Sequence, residues 1–236
     1  MAGPRRDRII ALLAKGSDTG RATSRLCEVC AEVTHTSGAG IMLMSGEVPR
    51  GSLCTTGPVS AVIEQLQYDL GEGPCVDAYN LDRTVAEPDL AAPAVPRWMA
   101  FTGPALDAGA RAVFGFPLRA GAVRLGALNL FVDQPGDLTD DQHADALVMA
   151  DVAAEVVLLL QAEAPDGTLA GELEASAELQ YGVHQAAGMV AAQIEGTVTQ
   201  ALIRLRAHAF GNDRSLADVA ADVIGRRLRF DPETTL

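Results

Sequence analysis

Lysine is almost missing from this chain of 236 residues. Of 18 basic side chains one, Lys15, is a lysine and 17 are arginines, against 31 acids and a net charge of −13. No polybasic tail or membrane-surface patch can be built from that set, so any contact with nucleic acid has to be local. Aromatics make up only 4% of the chain. Uninterrupted apolar runs are also lacking. The most apolar stretch, Ala144–Leu160, carries Asp145, Asp151 and Glu155, each costing roughly 2.5–3.5 kcal/mol near a bilayer centre, so no membrane span is expected. Six apolar residues, Ile9 to Ala14, are too few for a signal segment, which makes a cytoplasmic location the expectation. With a single lysine and no glycine-rich loop leading to it, an NTPase is excluded. The four histidines, His35, His143, His184 and His208, lie far apart with no Ser or Asp arrangement resembling a triad, and no catalysis, cofactor or metal site is called for.

Cysteine is scarce too: Cys27, Cys30, Cys54 and Cys75, all in the first third. A chain of this size needs no staples, so reduced thiols are expected. Cys27 and Cys30 form a Cys-x-x-Cys, which admits a redox or zinc reading. A zinc site would need a second close pair that Cys54 and Cys75 do not provide, and Cys30 falls in an apolar helical stripe with Leu26, Val29 and Val33, where it would act as a small hydrophobe.

What is present is an ordinary globular composition, 48% apolar and 21% charged, long enough for a domain of about 150 residues with a small appendage. Helical periodicity over about Arg5–Thr36, broken by a turn at 15–20, precedes short strands at Ala39–Met44 and Ser52–Thr55 and a helix over Pro58–Tyr68. Strands are predicted at Thr84–Glu87, Val113–Leu118 and Val123–Val132, the last two joined by a tight turn at Gly121, a hairpin pattern that favours an antiparallel sheet and an α+β class. A long helix then starts after Thr139. Only three of the 17 residues of Ala144–Leu160 are polar, too few for a helix with one wet face, so one side is expected to pack on the sheet and the other on a second copy in a homodimer. Pro165-Asp166-Gly167 marks a hinge, which divides the chain into 1–165 and 166–236. Helices are predicted beyond it at about Leu169–Gln193, Val198–Ala209 and Leu216–Arg227, the last with Ser215 and Asp218 resembling a capping box.

Gln-Tyr-Asp-Leu-Gly-Glu-Gly-Pro-Cys-Val-Asp-Ala at 67–78, with Arg97-Trp98, Phe101, Pro117-Leu118 and Leu-Gly-Ala-Leu-Asn-Leu at 125–130, resembles a GAF sensor domain over most of residues 8–160. The resemblance implies a six-stranded antiparallel sheet with helices on one side and room for a small-molecule ligand on the other. Gly71 and Gly73 with Pro74 suit a tight turn that opens a helix at Pro74. Trp98, Phe101, Phe114 and Phe116 are the candidate lining of a sensor pocket, or else plain core.

Val-His-Gln-Ala-Ala-Gly-Met-Val at 183–190, Ala-Leu-Ile-Arg-Leu-Arg-Ala-His-Ala-Phe at 201–210 and Leu-Ala-Asp-Val-Ala at 216–220 resemble an ANTAR domain. This implies a three-helix all-α module that binds paired RNA stem-loops in nascent transcripts and prevents transcription termination. In its first helix Val183, Ala187, Val190 and Ile194 read as an inward stripe, leaving Gln185, Gly188, Met189 and Ala192 outward. In the second, Val198, Leu202, Leu205 and Ala209 read as buried, with Arg204 and Arg206 on opposite shoulders. Residues 184–230 hold 6 arginines against 4 acids, a local basic surface on an acidic protein. The candidate RNA contacts are Gln185, Gly188, Met189, Arg204, Arg206 and Arg214. The competing readings are a GAF-type enzyme with cysteine redox activity, similar to methionine sulfoxide reductases, and a DNA-binding or protein-interaction module.

Overall fold

The computed structural model describes residues 3–15, 22–45, 48–162 and 171–231, with residues 22, 45, 48, 49 and 171–180 described by their backbone alone. It forms two compact units, Met1–Ser176 and Ala177–Leu236. The expected hinge at Pro165–Gly167 lies outside the described residues, and so does most of the turn at 15–20.

The first unit runs α1 (Gly3–Ala14), α2 (Ala22–Thr34), β1 (Gly38–Ser45), β2 (Val48–Thr55), α3 (Pro58–Leu70), α4 (Pro74–Leu81), β3 (Val85–Glu87), α5 (Met99–Ala108), β4 (Ala112–Ala120), β5 (Val123–Val132) and α6 (Asp140–Ala162), followed by the start of α7 (Gly171–Gln193). Its sheet has the order β2-β1-β5-β4-β3 with every pairing antiparallel. The class is therefore α+β. Among the described residues the sheet has five strands, not six, and helices cover both of its faces instead of one.

Strand alternation decides which helices each face meets. Ala39 and Ile41 of β1, Ala112, Phe114, Phe116 and Leu118 of β4, and Leu128 and Leu130 of β5 point to α1, α2 and α6, forming a core with Ile9, Leu26, Val29, Met149 and Ala153. Burial of each such Leu, Ile or Phe contributes roughly 1.5–3 kcal/mol, which makes this layer the main source of stability. The opposite face meets α3 and α4. There Gly40, Asn129 and Gly115 lie side by side across β1, β5 and β4. The glycines are needed for close approach, since a Cβ on Gly115 would come within 2.2 Å of the Pro74 carbonyl oxygen and one on Gly40 within 2.7 Å of Glu64.

The Gly-Glu-Gly-Pro turn behaves as its residues require. Gly71 ends α3 at φ 70, and Gly73 precedes α4 at φ 132 with Pro74 in the first turn. α5, which no periodicity in the sequence indicates, has Pro104 in its interior and is apolar almost all round.

α6 is covered differently from expectation. Besides the sheet it packs on α2 and α1 of its own chain. Asp145, 5% exposed, lies between Arg5 (2.9 Å) and Arg8 (2.7 Å), and Arg6 reaches Glu155. Much of the second apolar face is thus closed by α1 and α2, leaving Leu147, Leu158 and Leu159 exposed.

In the second unit, the rest of α7 is followed by α8 (Val198–Gly211) and α9 (Leu216–Ile224). Thr197 and Gln200 form a reciprocal capping box at α8, and Ser215 caps α9 by accepting the Asp218 N–H at 3.0 Å. The buried faces are Val183, Ala186, Ala187 and Val190 on α7, Ala201, Leu202, Leu205 and Ala209 on α8, and Leu216, Val219, Ala220 and Val223 on α9. Val198, expected inside, is 44% exposed because it stands in the first turn of α8, where Ala201 takes the inward position. No helix among the described residues is long and apolar enough to cross a membrane.

Candidate functional site

In the first unit, polar side chains are concentrated beneath α3 and α4, above the Gly40–Asn129–Gly115 row. Glu64 and Gln67 come from α3, Cys75 from the first turn of α4 and Asn129 from β5. All four are at most 2% exposed. Gln67 Oε1 accepts the Cys75 N–H at 2.7 Å, tying the two helices together, and Cys75 Sγ stands 4.0 Å from Glu64 Oε1. Glu64 Oε2, Gln67 Nε2 and both side-chain polar atoms of Asn129 have no hydrogen-bond partner among the described residues. A buried polar group left unpaired costs about 1–3 kcal/mol, and these four atoms lie together beneath α3 and α4.

Burial pushes the Glu64 carboxyl up to about 8, opposed in part by Asn129, which faces it without good hydrogen-bond geometry. Burial, then the Glu64 charge, also drive the Cys75 thiol well above its ordinary range. At neutral pH the cluster therefore holds a protonated acid and a protonated thiol. It can donate and accept hydrogen bonds, but it lacks a thiolate nucleophile. The sequence reading missed it. Asn129 belongs to the Leu-Gly-Ala-Leu-Asn-Leu motif, while Glu64 sits in a helix whose apolar periodicity gives no sign of a polar cluster.

The candidate pocket aromatics divide between the two faces. Trp98 and Phe101 meet edge to face at 5.9 Å on the α4–α5 side, with Trp98 Nε1 donating to Asp77 at 2.9 Å and the Arg97 guanidinium 4.3 Å from the indole ring. Phe114 and Phe116 point the other way, into the core of α2 and α6, where Phe116 meets the His143 ring at 5.3 Å. The four do not line a common cavity.

The cysteines overturn the expectation of four thiols. Cys27 and Cys54 form a disulfide, because α2 packs on β2 and brings their Cα atoms to 6.0 Å. Cys30 and Cys75 are free and buried, and burial raises the Cys30 thiol far above its ordinary range.

In the second unit the six expected RNA-contacting residues occupy four settings. Gln185 and Gly188 are exposed and Met189 half-buried on the outer face of α7, and among the described residues nothing lies within 4 Å of where a Gly188 Cβ would stand. Arg204 donates to the Asp231 carbonyl at 2.7 Å, held by a tail that also gives the Phe230 N–H to Gln193 and sets Phe230 against the His208 ring. Arg206 is half-buried and already engaged. Arg214 and Arg227 both bind Asp222 at 2.7 Å, and these hydrogen bonds, Arg214 first, hold its carboxyl below the usual range. Arg226 and Arg229 are exposed, with no ion pair among the described residues.

Residues 17–157 match the sequence model of the GAF domain. The chain belongs to the GAF domain family. The matched span is most of the first unit and ends within α6, before the second unit begins. Solved structures agree on the fold. The GAF domain of an Acinetobacter phosphoenolpyruvate-protein phosphotransferase is 13% identical, with 69% of this chain and 96% of that one covered at a TM-score of 0.52. The corresponding domain from Coxiella burnetii is 12% identical, with 67% and 96% covered at 0.50. The chromophore-binding domain of a bacteriophytochrome from R. palustris is 12% identical, with 68% and 62% covered at 0.50. No curated protein matches the chain. In this GAF domain the Glu64–Gln67–Cys75–Asn129 cluster lies between the sheet and α3–α4, which makes it the candidate sensor site.

Proposed function

We propose that the chain is a non-catalytic sensory regulator, in which the GAF domain responds to a small polar molecule and the second unit, read as an ANTAR domain, binds RNA stem-loops and favours antitermination. The carrying observation is Gly188. A glycine in the middle of a helix costs roughly 0.5–1 kcal/mol against alanine, and among the described residues no neighbour explains it, because its outward side is open. A face that the unit leaves unused, kept free of a Cβ beside Gln185, suits close approach by an external backbone. The exposed Arg226 and Arg229 could meet phosphate.

A ligand that reached the polar cluster would have to offer both donors and acceptors, since the cluster holds amide N–H groups, an amide oxygen and a carboxyl. The GAF domain would dimerise through the exposed Leu147, Leu158 and Leu159 of α6, and a ligand would act by favouring one arrangement of the paired chains over another.

The test is Gly188→Leu. The substitution raises helix propensity and places its Cβ where no described atom lies within 4 Å, so thermal stability should hold or rise while affinity for a hairpin RNA falls at least tenfold. Unchanged affinity would remove the observation on which the reading rests. A redox enzyme built on Cys75 or Cys30 is disfavoured by the burial that keeps both thiols protonated.

A further inference from the structure

The Cys27-x-x-Cys30 motif and the disulfide play no part in the RNA reading, and together they form a separate device. Cys27 projects from the middle of α2 and is fully buried, whereas Cys54 lies on β2, which among the described residues is an edge strand bonded to β1 alone, and retains 8% exposure. The β1–β2 pairing is irregular, with register shifts between Ile41 and Met42 and between Leu43 and Met44. The disulfide therefore ties the least regular strand of the sheet to a helix of the main core. Cys30, one turn along α2 from Cys27, belongs to the same buried cluster.

We infer that Cys27–Cys54 is a reversible redox lock on the β2 edge, opened by thiol–disulfide exchange with an external dithiol that attacks the Cys54 sulfur. The reaction balances within the two partners. One thiolate of the dithiol bonds to Cys54 Sγ, the Cys27–Cys54 bond breaks, and Cys27 leaves as a thiolate that takes up a proton. The second thiolate of the dithiol then attacks its own mixed sulfur, closing a disulfide in the reductant and releasing Cys54, which is protonated in turn. Two electrons pass from the dithiol to the protein. Attack at Cys54 is favoured because Cys54 keeps 8% exposure on an edge strand, whereas Cys27 is fully buried in the core. Cys30 does not compete: its burial keeps it protonated, so the lock opens and closes without scrambling to a Cys27–Cys30 bond. Once opened, β2 is held only by its imperfect ladder and its packing.

The test uses the whole chain, first oxidised in air and then titrated with dithiothreitol under native conditions, with alkylation mapped by peptide mass spectrometry and amide hydrogen exchange followed in parallel. Oxidised protein should show the Cys27–Cys54 peptide. On reduction Cys54 should alkylate first, Cys30 and Cys75 should remain unlabelled until denaturant is added, and exchange over 48–55 should rise about tenfold or more while the β4–β5 hairpin is unchanged. Reoxidation should restore the original pattern. Cys54→Ser should show the fast exchange with or without reductant. A bond that survives excess dithiol until the protein is unfolded, a Cys27–Cys30 pairing in the oxidised protein, or exchange over 48–55 indifferent to reduction would each overturn the inference.

Discussion

Replacing Glu64 by glutamine isolates the energetic signature of the buried cluster. In the unfolded chain this carboxyl loses its proton near 4.5, whereas in the folded protein burial holds the proton until about 8. Below pH 4.5 the group is neutral in both states and costs nothing. Between 4.5 and 8 ionisation is available only to the unfolded chain, so stability falls as pH rises. Above 8 the loss is complete and the curve flattens. Since burial holds the proton from near pH 4.5 to about 8, the loss amounts to several kcal/mol, at about 1.36 kcal/mol for each pH unit over which only the unfolded chain ionises. That is a large fraction of the stability of a small domain. Glutamine keeps the shape and cannot ionise. Urea unfolding of both proteins, followed by circular dichroism from pH 4 to 9, should give a stability difference that grows in favour of Glu64→Gln by several kcal/mol between pH 5 and 8. The difference near pH 4.5 reports the local cost of the amide itself. Parallel curves across the whole range would mean that Glu64 ionises freely in the folded protein, and the buried protonated acid would have to be abandoned.

The other predictions concern the helices. Leu205, fully buried in α8, should cost roughly 2–5 kcal/mol when replaced by alanine, read from a lower urea midpoint with the loss confined to the second unit. Asp222→Asn should leave the fold intact while releasing Arg214 and Arg227, so hairpin affinity should rise and fall more steeply with salt; an unchanged salt slope would show that these arginines face away from RNA. The protein should sediment as a dimer at micromolar concentration, and Leu158→Glu on the open stripe of α6 should yield a folded monomer. Arg204→Ala should weaken hairpin binding without lowering helical content, and equal affinity would count against a direct contact.

Much of this architecture was legible because pattern and structure obey the same geometry. The β4–β5 hairpin follows from two alternating runs around Gly121, and α4 from Pro74 after two glycines. The three helices of the second unit fall within a few residues of their predicted bounds, since 3.6-residue periodicity and the Ser215 cap are local signals. What escaped depends on contacts distant in sequence. The disulfide joins residues 27 apart because α2 lies on β2, and no spacing rule announces that. Coverage of α6 by α1 rests on Arg5 and Arg8 meeting Asp145 across more than half of the chain. The Glu64 cluster arises only when the Gly40–Asn129–Gly115 row aligns in the sheet, which lets a polar helix face descend onto it. The split of the aromatic quartet has a similar origin: strand register sends Phe114 and Phe116 to one face, while α5 brings Trp98 and Phe101 to the other.

The most direct measurement of the proposed activity is a competition gel in which the protein holds a labelled RNA with two short stem-loops while unlabelled hairpin RNA or duplex DNA of equal charge is added. Displacement by the hairpin at concentrations at least a hundredfold below those needed for the duplex is the result this account predicts. Equal displacement by both, or no retained complex at low salt, would contradict it.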